Sequence, residues 1–318
     1  MVLKRREILK YLYSTGIYAI ASPAFANITS RDNSHLQNFF KFSIGKINIT
    51  VVSDGSFTMP ISSLTINASE EEVKNFLRKY YLPEDHLYRE TNLAVIDVED
   101  KRLLVDVGSG SRFIGNTGRL FDNLKLAGIE ADSITHVFLT HAHPDHILGI
   151  RDDFDEAIFP DAKYIMSENE FDWWTKKDRV NQVEEALTQF VLNAVNSLNA
   201  LPEITLYKKE NEVLPGVNIL NTAGHTPGHA SLIVQSEGSK LLICGDALLY
   251  PYASLLFPNW TPENDMEPIK AVESRKKVLS LAANEKMALL GFHFPFPGVG
   301  HIIPKGNSYH FLPASIRW

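Results

Sequence analysis

Alternating apolar and polar residues predict two hairpins in the first third of the chain. Between Phe39 and Ser53, every second residue from Ile47 to Val51 is apolar, and Gly45 provides the turn. This hairpin is predicted to end at Asp54-Gly55. A second hairpin is predicted from Asn92–Val98 and Arg102–Val107, which flank a short polar turn.

Helices are predicted where apolar residues recur every three or four positions. Leu120 and Leu124 mark the buried side of a helix that Gly128 closes. A longer helix has its buried stripe at Val183, Leu187, Val191, Ala194 and Leu198, and a final helix is predicted near Ile269–Ala282. Short strands are predicted at Ile134–Thr140, Lys163–Met166, Ile204–Lys208, Val217–Asn221, Ser231–Gln235 and Lys240–Cys244. Hairpins mixed with strand–helix units indicate sheets covered by helices, in an α/β or α+β layered fold.

Two segments between these elements have a different pattern. Ser167 and Glu170 have the spacing of a capping box, so they are predicted to open a short helix. Ser56–Ala68 has no assignable period and contains Met59 and Ile61 among polar residues. This segment is predicted to be either a lid over a site or a crossing loop.

Residues 1–26 have the pattern of a signal peptide. Basic residues precede a modestly apolar stretch, Tyr11–Ala21, and Ala24-Phe25-Ala26 supplies a cleavage site. The apolar stretch is too short to cross a bilayer, so no membrane span is expected after cleavage. Arg5-Arg6, followed by Ile8-Leu9-Lys10, resembles the twin-arginine export signal. We therefore expect a periplasmic or secreted protein whose mature domain covers residues 27–318.

Charge and cysteine content exclude some classes of function. The chain has a net charge of −7, and removal of residues 1–26 takes away four positive charges and one negative charge, which leaves −10. An acidic protein binds a phosphate backbone poorly, so no nucleic acid is expected as a partner. Cys244 is the single cysteine, so no disulfide can form within the chain.

The densest cluster of reactive side chains directly follows the predicted strand Ile134–Thr140. His141, His143, Asp145 and His146 lie within six residues, and all four are potential metal ligands. In an extended turn, His141 and His143 project to the same side, while Pro144 favours a helix start that carries the other two toward the same cavity. This geometry suits two neighbouring metal ions, and the ligands suit zinc, iron or manganese.

Three further potential ligands follow predicted strands or lie in glycine-flanked loops. They are His225 in a Gly-His-Thr-Pro-Gly-His loop, Asp246 after Cys244-Gly245, and His293 after Gly291-Phe292. This ordered set of motifs resembles the metallo-β-lactamase superfamily, and the resemblance extends over almost all of residues 42–303. It implies one catalytic domain with the αβ/βα four-layer sandwich of that superfamily.

The resemblance also implies which residues bind which metal. The first ion would be held by His141, His143 and His225, the second by Asp145, His146 and His293, and Asp246 would bridge them. Two cations that share a water make hydroxide available near neutral pH. The implied activity is that of an exported enzyme with two divalent ions, preferably Zn²⁺, in which a metal-bridging hydroxide cleaves an ester, lactone or phosphotriester. Asp145 and Asp246 would be its catalytic carboxylates.

Within the superfamily, the chain is most similar to the methyl parathion hydrolase branch, in the segments Thr117–Gly128, Phe171–Trp174 and Phe296–His301 among others. The branch implies a small-molecule substrate, a homodimer and an aromatic pocket. That pocket would be formed by Phe113, Trp174 and Phe190, with Met59 or Ile61. Asp106 is expected to orient a ligand histidine, and His229 and His301 are expected to hydrogen-bond around the site.

Two alternatives stay open on the sequence alone. An acyl-homoserine lactonase or arylesterase would share the ligands but not the pocket. A non-catalytic metal-binding protein would keep the ligands without turnover. Metal content, together with activity on a panel of esters, lactones and phosphotriesters, distinguishes these possibilities.

Overall fold

The structure is a computed structural model that describes residues 38–201 and 203–314. Its core consists of two seven-stranded sheets that face each other. Helices cover the outer face of each sheet, which confirms the predicted four-layer arrangement. The predicted signal peptide, residues 1–26, lies outside the described residues, so its assignment stays a prediction.

The first sheet contains β1 to β7 in chain order. Pairing is antiparallel from β1 to β4 and parallel from β4 to β7. The strands are β1 (Phe39–Ile44), β2 (Ile47–Pro60), β3 (His86–Val98), β4 (Lys101–Val105), β5 (His136–Phe138), β6 (Lys163–Ser167) and β7 (Ile204–Tyr207).

The second sheet also has its strands in chain order, from β14 at one edge to β8 at the other. Its pairs are antiparallel except β11 and β12, which run parallel. The strands are β8 (Glu212–Leu214), β9 (Val217–Asn221), β10 (Ala230–Ser236), β11 (Ser239–Ile243), β12 (Ala288–Leu290), β13 (Val299–Lys305) and β14 (Ser308–Pro313).

Seven α-helices are found in the described part of the chain. They are α1 (Glu70–Lys79), α2 (Leu120–Leu126), α3 (Pro144–Ile147), α4 (Glu168–Thr175), α5 (Glu185–Leu198), α6 (Ala253–Leu256) and α7 (Pro268–Asn284). Leu124 and Val191 pack α2 and α5 on the first sheet, while Val278 packs α7 on the second. Within residues 38–201 and 203–314, none of the helices has the length and apolar character needed to cross a membrane.

The first predicted hairpin does not end at Asp54-Gly55. The β2 strand continues to Pro60 through a bulge between Ser53 and Gly55, and it pairs with the first half of β3. The Asp54 carboxylate stabilises this irregularity because it accepts hydrogen bonds from the backbone N–H groups of Ser109 and Leu120. The segment Ser56–Ala68 therefore begins as a strand, continues as a short 3₁₀ helix at Ile61–Leu64, and is not one irregular loop.

The capping box predicted at Ser167 and Glu170 is also wrong. Ser167 occupies the N-cap position of α4, but its side chain makes no capping hydrogen bond, and Glu170 is turned inward instead. A complete capping box is found at Ser69 and Glu72, at the start of α1. Helix α1 was not among the predicted elements, although this signal was present in the sequence.

The topology brings the predicted metal ligands to one end of the two sheets. His141 follows β5, His225 follows β9, Asp246 follows β11 and His293 follows β12. Each strand thus delivers its side chain as the chain leaves the sheet. His143 has an extended backbone and Pro144 is the first residue of α3, as predicted from the sequence.

Candidate metal centre

The seven candidate ligands form two buried groups. One contains His141, His143, His225 and Asp246, and the other contains Asp145, His146 and His293. Within each group, the possible ligand atoms all lie within 4.8 Å of one another. The structure thus brings together every residue that the sequence analysis selected as a metal ligand.

Asp246 lies between the two groups. Its Oδ2 atom is 3.2 Å from His225 Nε2 in the first group and 3.3 Å from His293 Nε2 in the second. Its Oδ1 atom is 3.3 Å from His146 Nε2. One carboxylate in this position can serve a ligand site on either side, which is the arrangement that a bridging ligand requires.

Buried atoms of these side chains fit bound metal ions. His146 Nε2, His293 Nε2 and Asp246 Oδ1 are buried without a hydrogen-bond partner among the described residues. Buried polar atoms normally have a partner, so these three atoms point to a ligand that supplies one. Imidazole and carboxylate donors without a thiolate fit two zinc ions.

The outer nitrogens of two ligand histidines, His146 and His293, are each held by an acceptor. His146 Nδ1 lies 2.8 Å from Asp106 Oδ2, and His293 Nδ1 donates to the backbone oxygen of Glu90 over 2.8 Å. Asp106 itself has a left-handed backbone with φ of +61°, which its tertiary contacts must stabilise. These contacts fix the ring orientation and keep Nε2 directed at the site.

Asp265 performs the same task for His225, although no sequence pattern predicted it. Asp265 Oδ1 lies 3.0 Å from His225 Nδ1, and Oδ2 accepts a hydrogen bond from Arg275 over 2.7 Å. Both Asp265 and Arg275 are buried. No motif marks this pair, because Asp265 lies in an irregular segment and Arg275 on the inner face of α7.

Glu170 ties together the loops that carry the first group. Its completely buried carboxylate accepts hydrogen bonds from the N–H groups of Ala142 and Gly228, the Thr226 hydroxyl and the Trp174 indole. Ala142 separates two ligand histidines, and Thr226 follows the third. Glu170 is thus a positioning residue for all three histidines of this group.

The local electrostatics divide the histidines into two kinds. Burial lowers the pKa of His141 and His143 well below its usual value, and neighbouring histidines lower it further. Burial also acts to lower the pKa of His146 and His225, but nearby carboxylates raise the pKa by more. The pKa of His225 rises to about 9 for this reason. A metal ion that binds these two must displace their protons.

The two other histidines named from the sequence differ in their relation to the site. His229 Nε2 accepts a hydrogen bond from the backbone N–H of Asp246 over 3.0 Å, so it supports the bridging position. A Cβ at Gly245 would lie only 2.7 Å from that nitrogen, so the position requires glycine. His301 instead pairs with Ala288 at the start of β12, while the site lies beyond the end of that strand. The expectation that His301 surrounds the site is therefore wrong.

The predicted aromatic residues occupy several environments. Trp174 is completely buried, and its ring packs edge-on against His143, so it supports that ligand and does not face a ligand-accessible space. The half-buried ring of Phe190 also packs against His143. Phe113 packs on Phe57, and Phe57 in turn packs on His293.

An apolar cavity of about 240 Å³ adjoins the second group and has His293 in its wall. Its other walls come from the short 3₁₀ helix at Ile61–Leu64, α1, β3 and the segment around α6, and include Leu64, Phe76 and Tyr250. None of the five aromatic and aliphatic residues predicted as pocket walls lines this cavity. Met59 and Ile61 pack behind it, against the cluster that includes Leu64. Helix α1, which was not predicted, contributes Phe76 to this wall instead.

Two charged residues of β3 border the cavity region. Arg89 is buried, and its guanidinium donates to the Tyr250 hydroxyl and lies 4.8 Å from the centre of that ring. The half-buried side chain of Glu90 lines the cavity, and burial raises its pKa to about 7. Neither residue was predicted from the sequence, since each lies in a regular strand without a motif.

Comparison with known proteins agrees with this geometry. The family model described as the metallo-β-lactamase superfamily matches residues 88–285. The N-acyl homoserine lactonase AiiA of Bacillus thuringiensis subsp. kurstaki is 25% identical over 242 residues, which cover 70% of this chain and 85% of that protein.

Two solved structures are similar over nearly their whole length. One is AidC, a dizinc quorum-quenching lactonase in complex with a product, with a TM-score of 0.81 and 28% identity. The alignment covers 87% of this chain and 98% of AidC. The other is the hydrolase AbOPH of the β-lactamase superfamily, with a TM-score of 0.81, 27% identity, and coverage of 88% and 98%.

Proposed function

The chain belongs to the metallo-β-lactamase superfamily and is a metal-dependent hydrolase, and we propose that lactone rings are its substrates. The observation that carries this proposal is the pair of ligand groups joined by Asp246 beside an apolar cavity. Two of the proteins named above, AiiA and AidC, are lactonases, which favours lactones within the predicted range of esters, lactones and phosphotriesters.

Each ligand residue has a defined part in this proposal. We assign the first ion to His141, His143 and His225, the second to Asp145, His146 and His293, and the bridging position to Asp246. Two divalent ions in such a site supply Lewis-acid activation of the carbonyl and of the attacking water.

The protein's own contribution is orientation and charge. Asp106, Asp265 and the Glu90 backbone oxygen hold the imidazoles of His146, His225 and His293 in one orientation. The buried Arg89 guanidinium offsets part of the negative charge of Asp145 and Asp246. Burial of all these groups strengthens their electrostatic interactions and excludes bulk water from the site.

A substrate panel tests the proposal. Zinc-loaded protein should open N-acyl homoserine lactones with a kcat/KM at least about tenfold above that for p-nitrophenyl esters and phosphotriesters of similar size. Proton release would follow ring opening, and mass spectrometry would identify the hydroxy acid. Asp246→Asn protein, prepared in parallel, controls for contaminating esterases. A phosphotriester or aryl ester that is cleaved faster than every lactone would reject the proposal.

A further inference from the structure

We propose that Glu90 determines substrate specificity by accepting a hydrogen bond from an amide N–H beside the lactone carbonyl. The site would then prefer lactones that carry an N-acyl group over lactones without an N–H at that position. The inference rests on the proposed lactonase function and deepens it.

The position of Glu90 relates it directly to the reacting end of the cavity. It lies on β3, opposite Ser56 of β2, and its backbone oxygen accepts the hydrogen bond from His293 Nδ1. Its side chain lines the same cavity as His293. A group held at the second metal site would therefore have the Glu90 carboxylate as a close neighbour.

The Glu90 carboxylate lacks a protein partner. Among residues 38–201 and 203–314, neither a hydrogen bond nor an ion pair reaches it. Arg89 is the next residue, but side chains alternate along a strand, and its guanidinium is already bonded to Tyr250. Because a partly buried acceptor without a partner is unfavourable, a ligand that supplies a hydrogen-bond donor binds more tightly beside it.

The remaining cavity wall describes the rest of the ligand. Leu64, Phe76, Leu82 and Leu87 make the surface around Glu90 largely apolar. An acyl chain fits this surface, and the amide that joins the chain to a lactone ring has one N–H donor. A simple alkyl lactone and a phosphotriester have only acceptors, so neither can satisfy the carboxylate.

The experiment compares two lactones that differ in one group. N-hexanoyl homoserine lactone is matched with its carba analogue, in which a CH₂ replaces the amide N–H. At pH 8, above the Glu90 pKa of about 7, zinc-loaded wild-type protein should show a kcat/KM at least about tenfold higher for the amide, because a hydrogen bond to a charged acceptor is stronger than one to a neutral acceptor. Glu90→Leu should reduce this ratio to near one, and Glu90→Gln, which keeps an acceptor, should retain part of it.

Glu99→Gln is the matched control. It removes the same charge from the exposed turn that follows β3, so the ratio should remain that of the wild type. Zinc content and melting temperature of every variant would show that the fold is kept.

Each other outcome would overturn the inference. A wild-type ratio near one, or an equal loss on both lactones in Glu90→Leu, would remove Glu90 from specificity while the lactonase function stands. Wild-type protein that opens neither lactone but cleaves an aryl ester would instead reject the lactonase function, and this inference with it.

Discussion

The Glu170 carboxylate accepts a hydrogen bond from the backbone N–H of Ala142 over 3.0 Å. Ala142 lies between His141 and His143, so this contact joins α4 to the loop that carries two metal ligands. The same carboxylate reaches the loop of His225 through Thr226 and Gly228. One buried side chain thereby fixes the relative positions of three histidines from distant parts of the chain.

Replacement of Glu170 by Ala should weaken zinc binding at the first group by about ten- to a hundredfold, because the donors of Ala142 and Thr226 lose their acceptor. Competition with a chromogenic chelator would measure the affinity. Glu168→Gln, two residues earlier and paired with Lys208, is the control and should bind zinc as the wild type does. Unchanged zinc affinity in Glu170→Ala would remove the positioning role.

The metal content should be about two ions per chain. His146→Ala and His293→Ala should lower occupancy of the second site before the first, since both ligands belong to the group around Asp145. Elemental analysis of purified protein measures the ratio, and chelation followed by zinc addition should abolish and restore activity. One ion per chain in the wild type and in both variants would contradict two sites.

Asp246→Asn should lower kcat by at least about a hundredfold, roughly 2.7 kcal/mol of transition-state stabilisation, with little change in KM. The substitution keeps the shape of the bridging side chain but removes the charge that lies between both ligand groups. Steady-state kinetics at matched zinc content would separate the two parameters. Full turnover with both ions bound would show that Asp246 does not set the position of the nucleophile.

Acid stability should depend on His229. Burial, with a smaller effect from His225, lowers its pKa to about 3, so the folded protein keeps this ring neutral. The unfolded chain binds a proton near the usual pKa of about 6.5. The contribution of the neutral His229 ring to the free energy of unfolding is therefore complete above about pH 6.5. It is lost as the pH falls toward 3, by up to about 1.4 kcal/mol per pH unit.

Urea unfolding of chelator-treated protein between pH 7 and pH 5 measures this effect. His229→Gln should be less stable at pH 7 but should lose less free energy of unfolding on acidification than the wild type. His86→Gln, at a half-exposed position, should keep the wild-type slope. Identical slopes in the wild type and His229→Gln would mean that other groups govern the acid transition.

Export remains a prediction from residues 1–26. Arg5→Lys combined with Arg6→Lys should leave the precursor in the cytoplasm, since the export receptor requires the paired arginines. Cell fractionation measures the location, and N-terminal sequencing of exported wild type should begin at Asn27. Normal delivery of the double variant would favour the general secretion route.

The ligand residues could be predicted because their chemistry is local in the sequence. His141, His143, Asp145 and His146 lie next to each other, and glycine-flanked loops mark His225 and His293. The strands that precede His141, His225 and Asp246 have a clear apolar pattern, so their exit points were also predictable, whereas the short strand β12 before His293 was not predicted. The layered fold followed from the same pattern, since hairpins and strand–helix units must bury one face each.

The supporting residues depend on contacts between distant segments, which no local period encodes. Glu170 has the spacing of a capping-box residue. Its carboxylate instead accepts hydrogen bonds from four buried donors, and these donors come within reach only when α4 packs against the ligand loops. Likewise, Asp265 meets His225, and Glu90 meets His293, because strand order and α7 bring them together. The sequence alone therefore identified the side chains that form the candidate metal centre. Tertiary packing alone decided what orients those side chains and what lines the cavity beside them, because burial and partner geometry exist only in the folded chain.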